Sequence, residues 1–164
     1  MAAFVLVLVA TPLLCALVAG FLFTYAVVVM PGFKVLEDRA FIRAFQVTDG
    51  VIQRGQPIFM VVWLGSVLGI MLSALLGLSR LHGVDLVALL LTGLGYLVGV
   101  QLPTIFIHLP LNKSLQAVDT ELADAEDIAR ARSRFEDRWN RANGIRTAVA
   151  VLTTLLLMIL LLRI

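Results

Sequence analysis

Gln101-Leu-Pro-Thr-Ile-Phe-Ile-His-Leu-Pro-Leu-Asn112 decides how this chain is read. It closes a long apolar run, carries the longest polar line inside that run, and is broken by two prolines. On a helix Gln101, Thr104 and His108 stand at i, i+3 and i+7 and share one face. In lipid an unpaired polar group costs several kcal/mol, so such a face turns toward other helices. Pro103 and Pro110 each remove a helical hydrogen bond and clash with the carbonyls of Gly99 and Phe106. The freed carbonyls beside Gln101, Thr104 and His108 predict a polar pocket wall at the end of a membrane span.

Working outward, the composition agrees. Of 164 residues 60% are apolar and 15% charged, and the mean hydropathy is +0.99. That is far more apolar surface than a soluble core of this size needs, which predicts an integral membrane protein with the lipid bilayer as its first partner. A net charge of +2 gives no argument for nucleic acid. Cys15 is the single cysteine, so no disulfide forms within the chain.

We expect one integral membrane domain over 1–164, an all-α, antiparallel four-transmembrane-helix bundle. Spans are predicted at about 3–30, 57–78, 85–109 and 145–162. The uncharged first run would measure roughly 40 Å as a helix, longer than a hydrocarbon core of about 30 Å. Pro12 is expected to kink it, with Thr11 satisfying a freed carbonyl, and Met30-Pro-Gly32 to stop it.

Residues 37–53 carry an apolar stripe of Phe41, Ile42, Phe45 and Ile52, with Arg39, Arg43, Gln46 and Asp49 on other faces and Asp38 as a cap. This is a short amphipathic helix, at the interface or folded against the bundle. In the second span Gly65, Gly69, Ser73 and Gly77 form a small-residue ridge that lets backbones approach closely. Residues 124–144 form a polar helix whose stripe, Ile128, Phe135, Trp139, Ala142 and Val149, runs into the fourth span. One long helix leaving the membrane follows.

The loops after spans one and three hold ten basic residues, eleven with Arg146 at the mouth of span four; the other side holds Arg80 and Arg163. The positive-inside rule then puts loops 31–56 and 110–144 in the cytoplasm and both termini outside, in a multi-pass cell-membrane protein.

The polar groups gather at that cytoplasmic end. His108 is the only ionisable side chain deep in a span. It reads either as a hydrogen-bonded interfacial residue or as a neutral imidazole able to take a proton from an acidic carbon or phenol. Arg146 either snorkels to headgroups or stabilises the resulting anion. With Asn112 these form the candidate catalytic set, and Gln46, Gln53, Gln101, Trp139 and Asn143 the candidate substrate-binding set. His82 sits in a turn on the opposite side. No CxxC, HExxH, carboxylate cluster within a span, GxGxxG or P-loop occurs, so neither a metal nor another cofactor is expected; a bis-His haem within one chain is ruled out, and haem ligation by His108 alone stays open.

Val29-Met-Pro-Gly32, Phe41…Gln46…Asp49…Ile52-Gln53, Gly99-Val-Gln-Leu-Pro-Thr104, Pro110-Leu-Asn112 and Trp139-Asn140…Asn143…Arg146-Thr147 stand in this order along the chain. Together they resemble the anthrone oxygenase-like family of small four-span membrane proteins, over nearly the whole length. The resemblance implies oxidation of an anthrone to an anthraquinone by dioxygen without flavin or metal. The chain departs from the expected pattern where His108 replaces an Asn, Lys113 a second Asn, and Ala142 a Trp. Two functions are therefore expected. One is a cofactor-independent oxygenase of a lipophilic, enolisable phenol. The other is a non-catalytic membrane protein: a binder of a lipophilic small molecule, a complex subunit, or a homo-oligomer joined through the glycine ridge. A transporter is disfavoured, since four spans are few and no inverted repeat is seen.

Overall fold

The computed structural model describes residues 2–163, and these are helical apart from the connections between helices, with no strand. Four helical stretches are long and apolar enough to cross a membrane: Ala3–Lys34, Pro57–Gly77, Gly83–Gln116 and Ala125–Arg163. The first comprises α1 (Ala2–Thr24), a wide π turn (Tyr25–Val29) and α2 (Met30–Lys34). The amphipathic segment is α3 (Asp38–Gln53) and the second span α4 (Pro57–Gly77). The third stretch comprises α5 (Gly83–Tyr96), two π turns (Leu97–Gln101 and Thr104–His108) and α6 (Leu109–Gln116). The last is the single helix α7 (Ala125–Arg163), about 58 Å long at 1.5 Å per residue. The sequence reading of one fused helix therefore holds.

The prolines do not do what the sequence reading expects. Met30-Pro-Gly32 does not end the first span, which continues to Lys34, and Pro103 and Pro110 do not break the third, which continues to Gln116. Pro31, Pro103 and Pro110 each stand two residues after the end of a π turn. In such a turn the N–H reaches back five residues, as Met30 N–H does to the Tyr25 carbonyl. Widening the helix there relieves the clash between the proline ring and the preceding turn, so the chain absorbs the proline without stopping. Pro12 has no such turn and lies inside regular helix. The Thr11 hydroxyl donates to the Val7 carbonyl at 2.7 Å and is shared with Ser73 Oγ at 3.1 Å.

Two readings of α3 are also corrected. Asp38 makes no cap; its carboxylate instead takes Arg132 Nη1 at 3.0 Å. Asp49 is not on an outer face: it is buried, one turn beyond Phe45 and two beyond Phe41. Between the two alternatives for α3, the helix folds against the bundle, burying Phe41, Ile42 and Phe45 on Phe135 and Trp139 of α7.

The interior has two parts. One lies among α1, α4, α5 and α7 and includes Leu8, Cys15, Val18, Leu22, Ile70, Leu89, Tyr96, Val100 and Leu157. The glycine ridge belongs here: a Cβ on Gly69 would meet Thr11 Oγ1 at 2.7 Å and one on Gly77 would meet Leu89 Cδ2 at 2.6 Å. The ridge is thus occupied within the chain. Outward-facing Leu6, Leu13, Leu68, Leu75 and Leu91 are exposed, as lipid contact requires. The second part lies among the π turn of Tyr25, α2, α3, α6 and α7, around Met30, Phe41, Phe45, Leu115, Phe135 and Trp139.

Arg132 ties the α2–α3 turn to α7, donating to the Lys34 and Leu36 carbonyls at 2.9 and 2.8 Å and lying over the Phe41 ring. Arg39 does the same for the loop before α7, donating to the carbonyls of Thr120 and Ala123. In that loop the Asp119 carboxyl accepts the Glu121 and Leu122 amides, which hold it below the usual carboxylate range.

Candidate active site

A cavity of about 370 Å³ opens where the two parts of the interior meet. That volume is in the range of small-molecule sites, roughly 300–1,000 Å³. Its apolar walls are aromatic. Phe21 meets Tyr25 tilted at 4.9 Å and Phe59 edge to face at 5.1 Å, Phe59 stacks on Trp63 at 5.4 Å, and Trp139 meets Tyr25 tilted at 5.7 Å and Phe45 edge to face at 5.8 Å. Both tryptophans of the chain line it.

Two of the three π turns shape the polar wall, since Tyr25 begins one, and Thr104 and His108 begin and end another. Wide turns of this kind recur at functional sites because they aim side chains that a regular helix would not.

His108 is 2% exposed and meets Trp139 edge to face at 5.1 Å. Neither of its ring nitrogens makes a well-formed hydrogen bond, although the Ala142 backbone lies close. Arg146 is 4% exposed. Its Nη1 donates to Thr104 Oγ1 and its Nη2 to Asn143 Oδ1, both at 2.9 Å, while Nε has no partner. No carboxylate lies within 4 Å of it among the described residues. A buried guanidinium without a counter-charge is an uncommon arrangement, because desolvating a cation costs several kcal/mol. Of the two readings of Arg146, the snorkelling one fails: the side chain turns inward.

Asn112 and Asn143 are largely engaged. Asn112 accepts Trp139 Nε1–H at 2.9 Å and donates to Asp49 Oδ1 at 2.8 Å. Asn143 donates to the Leu22 carbonyl at 3.1 Å and accepts from Arg146, so it holds the guanidinium in place. Each amide keeps one uncommitted hydrogen. Gln53 lines the cavity and donates to Asp49 Oδ2 at 3.2 Å.

Two predicted binding residues stand outside the cavity lining. Gln46 ties α3 to the end of α6, donating to the carbonyls of Leu115 and Val118 at 2.8 Å each. Gln101 stands one turn before Thr104 in the span and accepts Trp63 Nε1–H at 3.1 Å, which braces that ring. The shared face of Gln101, Thr104 and His108 therefore delivers only its last two members to the cavity. Asp49 and Tyr25 line the cavity without having been named as catalytic or binding residues, while Thr104 lines it as the predicted pocket wall requires. Asp49 was detectable: its i+4 and i+8 spacing from Phe45 and Phe41 sets it on the buried stripe.

A model of the anthrone oxygenase family matches residues 50–156. The chain belongs to that family. The matched segment holds His108, Asn112, Trp139, Asn143 and Arg146, while Phe21, Tyr25, Phe45 and Asp49 reach the same cavity from before it. No curated protein and no solved structure matches the chain.

Proposed function

We propose that this anthrone oxygenase family member is a cofactor-independent oxygenase of a lipophilic, enolisable phenolic substrate of the anthrone class. The observation that carries it is the convergence of His108, with both ring nitrogens unengaged, and Arg146, with no carboxylate, on one aromatic-lined cavity. The aromatic walls suit a flat polycycle. His108 takes a proton from the activated methylene carbon, and Arg146 holds the negative charge as it develops on the conjugated oxygen. One uncommitted hydrogen of Asn112 adds a neutral donor.

The substrate carbanion is the electron donor. It passes one electron to dioxygen, and the two radicals join as a carbon–oxygen bond, giving a peroxide that takes the proton from His108. Removal of the second hydrogen from the same carbon then expels hydroxide as the O–O bond breaks, leaving a ketone. The hydroxide becomes water with the proton His108 has collected. One dioxygen is consumed, the substrate carbon is oxidised, and one oxygen atom ends in product and the other in water.

In the orientation we infer, the spans alternate in direction and the cavity end faces the cytoplasm, because the eleven basic residues flank that end. A lipophilic substrate reaches the cavity from the bilayer past Met60 and Leu109, which line it and are exposed on the outer surface. The purified protein in lipid nanodiscs, given an anthrone under air, should form anthraquinone with one dioxygen consumed per product, read by absorbance and an oxygen electrode. A rate no faster than that of empty nanodiscs would overturn this function.

A further inference from the structure

The cavity has a second charged pole. Asp49 is 3% exposed and lines the cavity from α3, whereas Arg146 lines it from α7. No ion pair joins them within 4 Å. Every hydrogen bond to Asp49 comes from a neutral side-chain amide: Asn112 Nδ2 at 2.8 Å on Oδ1, and Gln116 Nε2 at 3.0 Å and Gln53 Nε2 at 3.2 Å on Oδ2. The orientation of Asn112 is fixed from its other side, since its oxygen accepts Trp139 Nε1–H and its nitrogen therefore faces Asp49.

A carboxylate has about four acceptor positions, and three are used here, which leaves one on Oδ1. An acceptor that is charged, buried, held from behind and facing a cavity is suited to a donor that arrives with a ligand. Hydrogen bonds to a charged acceptor are about twice as strong as neutral ones, so the pairing would discriminate.

Resting on the proposed reading of the cavity as the site of a flat polycyclic substrate, we infer that Asp49 is its specificity-determining residue. It accepts a hydrogen bond from a free phenolic hydroxyl at the end of the substrate away from the oxygen held by Arg146. The substrate class is thereby narrowed to polycycles with an acceptor oxygen at one end and a hydroxyl donor at the other.

Binding of two unreactive probes, 2-hydroxyanthraquinone and unsubstituted anthraquinone, tests this in nanodiscs. Quenching of tryptophan fluorescence reports the cavity directly, since Trp63 and Trp139 both line it. The wild-type chain should prefer the hydroxylated probe by about tenfold or more. Asp49→Asn should abolish the preference by weakening that probe alone. Gln116→Ala, which keeps the acceptor and removes a brace that stands outside the cavity lining, should retain it. A wild-type chain that binds both probes equally overturns the role of Asp49 and leaves the cavity's reading standing. Equal weakening of both probes in Asp49→Asn, or loss of preference in Gln116→Ala, reduces Asp49 to a brace and overturns the inference. A wild-type chain that binds neither probe removes the aromatic-substrate reading itself.

Discussion

The two parts of the interior treat polar groups in opposite ways. Among α1, α4, α5 and the far end of α7, no fully enclosed side-chain polar atom of the described residues lacks a partner, and hydroxyls close on neighbours: Thr11 with Ser73, Ser66 with Tyr96 at 2.7 Å, Thr154 on the Ala150 carbonyl at 2.9 Å. At and beside the cavity, four buried side-chain atoms have no partner: Gln101 Nε2, both nitrogens of His108, and Arg146 Nε. Leaving one such group unmade costs about 1–3 kcal/mol, more when it is charged. A fold that satisfies its polar groups in one half and leaves them open in the other holds the open ones for something that is not part of the chain. The difference separates scaffold from site more sharply than burial does, since both halves hold fully buried side chains.

The largest test of that division is His108→Ala. If the open imidazole is the base, turnover of an anthrone should fall by about 10²–10⁴-fold with the melting temperature little changed. His108→Asn is a sharper version, because Asn is the residue the family resemblance leads one to expect there. Near-normal turnover in that variant would move the base elsewhere. Arg146→Met should lower turnover by about 10²–10³-fold, the usual loss when a group aimed at a developing oxyanion is removed. It also orphans Thr104 and Asn143, so its melting temperature should be followed alongside. Arg146→Lys keeps the charge but not the two-armed hold on those residues, and should fall between Met and wild type. Trp139→Phe keeps an aromatic ring but removes the N–H that orients Asn112 along with part of the cavity wall, and about a tenfold loss in kcat/KM is expected.

Much of this was legible in the sequence, and the failures share a cause. Span number, the fused α7 and the membership of His108, Asn112, Asn143 and Arg146 in one cavity follow from apolar runs and from polar residues clustered at span ends. These depend on composition and on coarse position, which helix geometry barely alters. What went astray depends on local pitch. A proline was read as a stop because a regular α-helix cannot house it; the wide turns before Pro31, Pro103 and Pro110 make room, and no residue pattern announces them. Asp49 was set outside because charge suggests solvent, while its spacing from Phe45 said otherwise. Gln46 and Gln101 were near the site but turned to backbone and to Trp63, a choice made by tertiary packing alone.

The smallest predicted effects probe the closed half, and they test the division from its other side. A Cβ on Gly69 would sit 2.7 Å from Thr11 Oγ1, and that hydroxyl is held by Val7 and Ser73, so it cannot swing aside. Gly69→Ala should therefore destabilise the chain by about 1–3 kcal/mol, against the gain of up to about 1 kcal/mol that alanine normally brings to a helix. Thr11→Ala frees Ser73 and removes the obstacle. Alone it should cost about 1 kcal/mol, and combined with Gly69→Ala it should recover part of the loss, a coupling of about 0.5–3 kcal/mol in the cycle. Reversible unfolding in detergent measures all four corners. Neither residue touches the cavity, so turnover per folded molecule should stay at the wild-type level in every corner. A catalytic defect in Gly69→Ala at full folding would mean that the closed half transmits to the open one, and that the contrast between them is one of packing rather than of function.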